Sequence, residues 1–530
     1  MRMRLSSVVG AVLALCTGVL GAESNLTEHR TTQKILTGDF KPPQVFENTN
    51  LVRTINLEKG YVRETTNVLV TNTDSSPQSE YYIPFEYDLI SKIGGFDARD
   101  KKKPEFPLEV TIAALSAVSD DQGEASKYAE PGRARTEMLA DFPRPTQYYV
   151  IHLSEPLPPK RTVTLSISWN VLGVLTPLPA SIRQEEKQYL IYNFSAYVPT
   201  VYKTVKQKTK VKFPSADVPE YTTTTGLTSA TDPEKQGTSF TYGPYDTVKV
   251  EPGTTYPVSV RYEFNKPLLV CSLLERDVEV SHWGGNLATE ERYWLRHDGA
   301  KLSNQFSRLA WSTQNFYISA GQGSTSALRE LKVPLKPGTV DPYFTDDIGN
   351  VSTSRFRPNN VREASLELKP RYPLFGGWKY SFRIGWNNAL SSGLRKLQTQ
   401  SDTYILSVPL LEGPKMPEGI QYEQLVFRVI LPEGAKNVKW QTHGGTGVPP
   451  LHAEYDLHKT FMDTLGRTEL KLTAYNVVDE ARDVTILVTY EYPFLAAFRK
   501  PVTIFTGLAV VFVLAYLVGS VDTSIGKKKR

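Results

Sequence analysis

Alternation of apolar and polar positions dominates the chain. Val163, Leu165, Ile167 and Trp169 alternate with Thr164, Ser166 and Ser168, the period of a strand with one buried and one wet face. Similar runs cover Gln147–Leu153, Leu425–Ile430 and Glu469–Ala474. Prolines and glycines break them at short intervals, as in SEPLPPKR and KVEPGTTYP, where turns are expected. Helical periodicity is nearly absent outside one apolar run near the C-terminus. The pattern predicts a mainly β fold, two tandem β-sandwich-like domains followed by one transmembrane helix.

The number of domains comes from a weak internal repeat. Val258, Val260, Tyr262 and Phe264 alternate as Ile486, Val488, Tyr490 and Tyr492 do, Pro214 aligns with Pro432, and Arg53 aligns with Asp277. The three offsets, 228, 218 and 224 residues, are nearly equal and occur in order. They predict domains over 23–268 and 269–498. The charged, turn-rich stretch Asp100–Ala140 interrupts the alternation and reads as an exposed loop of the first domain.

Both ends of the chain point to a membrane. Arg2 and Arg4 precede the apolar stretch Leu5–Leu20, and small residues follow at Val19, Gly21 and Ala22. This is the pattern of a secretory signal peptide over 1–22. Pro501–Val521 is free of charge. At 1.5 Å per residue its length matches a hydrocarbon core of ~30 Å, and it lacks the polar face of a soluble helix. A transmembrane helix is expected over 499–521 and a cytosolic tail over 522–530. Lys527, Lys528, Lys529 and Arg530 suit a positive-inside stop. Lys527 and Lys528 also occupy the places of a dilysine retrieval signal for the endoplasmic reticulum, although the charge anchor alone accounts for them.

Composition narrows the chemistry. A net charge of +5 over 530 residues, without a basic stripe interleaved with aromatics, gives no argument for nucleic acid. Cys16 falls in the signal, so Cys271 is the sole cysteine expected in the mature chain and no intramolecular disulfide is expected. Three Asn-X-Ser/Thr sequons, at Asn25, Asn193 and Asn350, are candidate glycosylation sites. Asn350 has the most turn-like setting, Asn193 is flanked by strand-like aromatics, and Asn25 lies close to the cleavage site.

The nearest approach to a metal site is LHAEYDLHK, in which His452, Glu454, Asp456 and His458 recur every second residue. Same-face neighbours on one strand stand roughly 6.5–7 Å apart, too flat an array to wrap a tetrahedral ion. A solvated strand face explains the same residues. There is no HExxH, GQGSTS lacks the order of a nucleophile elbow, and HGGTG lacks the lysine of a P-loop. His282 and His297 lie near Cys271 in sequence, which does not define a Cys–His dyad. No catalytic, metal or cofactor-binding residue is expected, and the residues suit a membrane-anchored binding or scaffold subunit.

Several stretches in the second half are more particular than a generic β domain requires. DDIGNVSTSRF (Asp346–Phe356), PRYPLFGGWKY (Pro370–Tyr380), ILPEGAKNV (Ile430–Val438), VSHWGGNLATEE (Val280–Glu291), FSRLAW (Phe306–Trp311) and MDTLGR (Met462–Arg467) together resemble the ribophorin I family. That resemblance implies a non-catalytic, single-pass subunit of oligosaccharyltransferase, which moves a preassembled oligosaccharide from dolichyl pyrophosphate to asparagine in Asn-X-Ser/Thr. It implies residence in the endoplasmic reticulum membrane with the bulk in the lumen. The implied partners are the other subunits, including a many-spanning catalytic one, together with nascent polypeptides and the lipid bilayer. No WWDYG-like motif occurs here, and the nine residues after the span resemble short-tailed members. PRYPLFGGWKY reads as a proline-bounded strand followed by a Gly376–Gly377 turn. From another class, a freestanding lumenal lectin or chaperone would fit the same anchored β architecture, and a metallohydrolase would need zinc at His452 and His458.

Overall fold

The computed structural model describes residues 34–36, 40–115, 147–224, 232–246, 250–321, 323–359, 361–398, 402–445, 450–460 and 463–520. Strands dominate. Leaving aside the shortest, the first half contributes β1 (Phe46–Asn56), β2 (Val62–Asn72), β3 (Gln78–Phe85), β4 (Ile93–Asp100), β5 (Glu109–Leu115), β6 (Gln147–Leu157) and β7 (Thr162–Val171). It continues with β8 (Tyr189–Ser195), β9 (Gln207–Lys212), β10 (Glu220–Tyr221), β11 (Glu234–Gln236), β12 (Ser239–Tyr245) and β13 (Pro257–Glu263). The second half contributes β14 (Leu269–Ser281), β15 (Asn286–His297), β16 (Leu331–Leu335), β17 (Val340–Asp346), β18 (Arg355–Arg357), β19 (Ala364–Leu368) and β20 (Lys379–Ala389). Then follow β21 (Thr403–Pro409), β22 (Ile420–Ile430), β23 (Lys436–His443), β24 (His452–His458), β25 (Arg467–Val478) and β26 (Thr485–Glu491).

The second half repeats the first strand for strand. The large sheet of the first half runs β11-β12-β9-β1-β2-β7-β4, and that of the second runs β24-β25-β22-β14-β15-β20-β17. A second sheet runs β10-β13-β8 and recurs as β23-β26-β21; a third runs β5-β6-β3 and recurs as β18-β19-β16. Even the parallel pairing at the centre of the large sheet is kept, β1 with β9 and β14 with β22. A rule that adds thirteen to each strand number therefore converts one half into the other.

Burial follows the predicted period of two. Along β7, Leu165, Ile167 and Trp169 are buried while Ser166 and Ser168 are partly wet. One hydrophobic cluster draws on residues from Leu36 to Leu268 and another on residues from Leu269 to Tyr490. A third, small cluster of Tyr61, Leu172 and Val478 joins the halves. Around it, Gln421 donates to Gly60 O and accepts from Gly173 N, at 2.7 and 2.8 Å. Asn476 Nδ2 donates to Ser91 O and Ile93 O. The fit there is tight, since a Cβ on Gly94 would stand 1.8 Å from Asn476 O.

Three local readings differ from expectation. Of Asp100–Ala140, residues 101–107 are exposed turn as expected, but Glu109–Leu115 forms β5, whose EVTIAAL pairs with β6, and residues 116–140 lie outside the described residues. FSRLAW opens the helix α1 (Arg308–Ser319), capped by the Ser307 hydroxyl, which accepts from Ala310 N at 3.3 Å. No residue of α1 is buried, so the apolar periodicity that reveals most helices is weak. Residues 370–378 form a loop with isolated bridges at Leu374 and Gly376, and the strand begins only after the Gly376–Gly377 turn. Pro370 and Pro373 lack the N–H donors a ladder needs.

The chain ends its described part in α2 (Phe494–Ala497) and α3 (Arg499–Ser520). The 22 residues of α3 are all outside the core, and the helix is long and apolar enough to cross a membrane. It is the one such helix among the described residues.

Candidate functional site

Charge is concentrated in two buried centres, one per half. In β1, Arg53 occupies an inward position between Leu51 and Ile55; in β2, Glu64 occupies one between Val62 and Thr66. Arg53 Nε and Nη2 donate to the two Glu64 oxygens at 2.9 and 2.7 Å. The Tyr192 hydroxyl donates to Glu64 at 2.9 Å, and Arg53 Nη1 donates to Ser195 O at 3.1 Å. Burial works against the Arg53 charge, but Glu64 outweighs it and the guanidinium pKa is raised.

The second centre uses the equivalent strands. Arg276 of β14 and Glu291 of β15 face each other across the ladder and are ion-paired, with side chains 1% and 0% exposed. Arg276 Nη2 also donates to Glu412 at 2.6 Å, and the Tyr293 hydroxyl donates to Glu291 at 2.6 Å. Arg276 is thus the structural counterpart of Arg53. Asp277, the residue aligned with Arg53 on sequence, lies on the opposite face and pairs with Arg428 at 2.6 Å. One position along a strand reverses the face. The Arg53–Glu64 and Arg276–Glu291 pairs are buried, which suits them to hold neighbouring strands in register.

A third group of charges lies between the halves. Glu480 receives Arg63 at 2.6 Å, Asn170 at 3.0 Å and the Tyr61 hydroxyl at 3.4 Å. Its neighbour Asp479 accepts from Ile420 N at 3.2 Å. Burial pushes the Asp479 carboxyl up to about 6, only partly opposed by Arg482 and Lys59.

The residues singled out on sequence do not converge. His452, Glu454 and Asp456 are exposed along the edge strand β24, and His458 is partly so. Glu454 pairs with Lys471 at 2.7 Å and His458 with Glu469 at 3.4 Å, so β25 supplies their partners. No group of three or more His, Cys, Asp or Glu able to hold a metal ion occurs among the described residues. Cys271 is buried, donates to Leu273 O at 3.1 Å and has its thiol pushed up to about 12 by burial. His282 bonds to the Tyr490 hydroxyl and His297 to Ser326 O, so no Cys–His dyad forms. His297 is fully buried; Gly299 N donates to its Nδ1, which leaves Nε2 as the donor to Ser326 O and the ring neutral, in line with a pKa lowered by burial.

The two internal sequons sit on accessible surface. Asn193 is exposed on β8, opposite Ser259. Asn350 is exposed on a tight return from β17, opposite Thr345. That return is fixed by Asp346, which accepts from Ile348 N, Gly349 N and, at 2.6 Å, Arg371 Nε. Arg371 Nη2 in turn donates to Asn350 O at 3.0 Å. The DDIGNVSTSRF and PRYPLFGGWKY motifs are therefore parts of one structural unit. In the second motif Tyr372 packs on Trp378 and Tyr380, and Phe375 on Trp311. Gly376 is forced by close approach, since a Cβ would meet Ala300 O at 2.0 Å. Asn25, Lys527 and Lys528 lie outside the described residues.

The buried arginine–glutamate centres were absent from the sequence reading. Their signal was available: Arg53, Glu64, Arg276 and Glu291 each occupy an apolar slot of an alternating run.

Comparison with known proteins gives one consistent answer. The family model of Ribophorin I matches residues 46–519. Relatives named dolichyl-diphosphooligosaccharide–protein glycosyltransferase subunit 1 include one from Caenorhabditis elegans, 37% identical over 67% of this chain and 56% of its own. Another, from Schizosaccharomyces pombe, is 28% identical over 91% of this chain and 97% of its own. The nematode match thus spans little more than half of that relative. Among solved structures, an M1 zinc metallopeptidase from Deinococcus radiodurans overlaps 42% of each chain at 12% identity with a TM-score of 0.25, too slight a likeness to carry an argument.

Proposed function

Given that the chain belongs to the ribophorin I family, we propose that it serves as a non-catalytic subunit of oligosaccharyltransferase in the endoplasmic reticulum membrane. The observation that carries this reading is the family match over 46–519, together with relatives named as subunit 1 of that glycosyltransferase in several species. The charge distribution supports a scaffold role: the Arg53–Glu64 and Arg276–Glu291 pairs are buried within their own sheets, and on β24 Glu454 and His458 pair with residues of β25. The two halves act as domains over 23–268 and 269–498, presenting a large, distributed surface to the many-spanning catalytic subunit, other subunits and nascent chains. The bulk of the chain lies in the lumen and the residues after α3 in the cytosol. No cofactor is assigned to it.

Purification in mild detergent, with identification of co-purifying proteins and a glycan-transfer assay, tests this. The many-spanning transferase should accompany the chain, and depletion of the chain should lower complex abundance and cause under-glycosylation of many acceptors. Isolation without the transferase would favour a freestanding lectin or chaperone. Protease added to sealed microsomes should remove only the tail. Asn350→Gln should raise gel mobility by one glycan in a glycosidase-sensitive way, with Asn193 and Asn25 modified less. Exchange of Lys527 and Lys528 for serine should leave the assembled protein in place, since a subunit held by its complex needs no separate retrieval signal.

A further inference from the structure

Where α3 begins, α2 and the first turn of α3 close a cleft of about 90 Å³ against the β14–β15 turn and the turn after β22. Glu433, Arg467, Arg499, Lys500, Trp283 and Tyr492 are among its walls. Glu433 is only 4% exposed. One of its oxygens accepts from Thr464 N at 3.0 Å and Leu465 N at 2.8 Å, and from the Thr464 hydroxyl. The other oxygen, Oε2, has no partner. Such an orphan costs free energy unless something arrives to pair with it. Arg467 and Lys500 are both held by Asp463 at 3.2 Å, whereas Arg499 has no ion pair among the described residues. The Tyr492 ring packs on His282 at 4.6 Å, and Trp283 is 74% exposed.

The cleft therefore offers an uncommitted guanidinium, an uncommitted buried carboxylate oxygen and two aromatic rings. It also sits at the mouth of the membrane span. Phe494, Leu495 and Phe498 are 72%, 81% and 47% exposed on α2 and its junction with α3, the kind of apolar and aromatic belt that settles among lipid headgroups. We propose that this cleft binds the headgroup of a zwitterionic phospholipid from the leaflet facing the β-rich part. Arg499 takes the phosphate in a charge-assisted hydrogen bond, and the ammonium lies against Trp283 and Tyr492 as cation–π partners, where the charge of the buried Glu433 carboxylate attracts it across a short, dry gap. Phosphatidylglycerol carries the same phosphate but a neutral glycerol in place of the ammonium, so it would leave Glu433 and the two rings without a cation, as free phosphate would. Occupancy would pin the second half to the bilayer at a second point beside the helix.

The test uses the full-length protein purified with its bound partners in mild detergent, titrated with phosphatidylcholine or phosphatidylglycerol, bound lipid being counted by native mass spectrometry. Phosphatidylcholine should bind in preference. Arg499→Gln should weaken both lipids about tenfold, the loss of one charge-assisted contact. Glu433→Gln, which keeps an acceptor for Thr464 and Leu465, should weaken phosphatidylcholine about tenfold and erase the preference. Trp283→Ala, at an exposed turn, should weaken phosphatidylcholine about threefold even where the Glu433 variant folds poorly. Unchanged phosphatidylcholine binding in the folded Arg499 and Trp283 variants overturns the proposal. So does equal binding of phosphatidylglycerol by the unaltered protein, or displacement of lipid by millimolar inorganic phosphate, which would make this a free-anion site.

Discussion

In the first half Arg53 meets one carboxylate, Glu64, and the charges cancel; in the second, Arg276 meets two, Glu291 and Glu412. The strand order is shared, and so is the device of an arginine on the first long strand answered by a glutamate on the second. The detail differs. Arg53 stands opposite Thr66 in the ladder and reaches Glu64 diagonally, whereas Arg276 stands directly opposite Glu291. The hydroxyl that completes each centre comes from β8 in one case and from β15 itself in the other. Two copies of one arrangement can thus keep a buried charge while changing the groups that satisfy it. The requirement is pairing, and the route to it is free to vary.

The largest effect should come from removing the arginines. Arg53→Met should cost about 3 kcal/mol, and Arg276→Met about 5 kcal/mol because it strands two carboxylates instead of one. Denaturant unfolding of the full-length protein measures both. Equal losses would mean that Glu412 finds water and that the two centres are energetically alike.

The contact between halves should titrate. Asp479 has a folded pKa of about 6 against an ordinary 3.8. Below pH ~4 it is protonated in both states and costs nothing. Between those values the folded state alone holds the proton, so stability falls as pH rises, by at most about 3 kcal/mol once pH passes 6. Asp479→Asn should flatten that slope and stabilise the protein at neutral pH. A slope that persists in the variant would assign it to another group.

Gly94→Ala tests whether the halves are docked as rigidly as their own cores are packed. Its new methyl would meet Asn476 backbone, and a cost of about 2 kcal/mol is expected if neither strand can yield. A neutral result would show that the halves slide where their interiors do not.

The smallest effect is expected on the edge strands. β24 in the second half and β11 in the first are the outermost members of equivalent sheets. Neutral replacement of His452, Glu454, Asp456 and His458 together should cost no more than about 1 kcal/mol, as for exposed ion pairs. Glycan transfer per assembled complex should be unchanged. A thousandfold loss of turnover in a normally assembled variant would instead place chemistry on that strand.

The alternation along β7, β22 and β25, the turn residues between strands and the charge-free run in α3 were legible because each depends on neighbours in sequence. So was the repeat, whose matches at Val258 with Ile486 and Pro214 with Pro432 fall on equivalent strands and turns. The helix α1 was not, because it lies on the surface with no residue fully buried. The third match needed the fold. Arg53 corresponds to Arg276 and not to Asp277, since facing direction is set by which neighbour a strand pairs with and in what register. The same holds for Glu412, which lies 136 residues from Arg276, and for the Glu433 oxygen left without a partner beside α3. Local pattern specifies which side of a strand is apolar. Only long-range packing decides which buried charge meets which, because those partners are brought together by sheet topology and not by spacing along the chain.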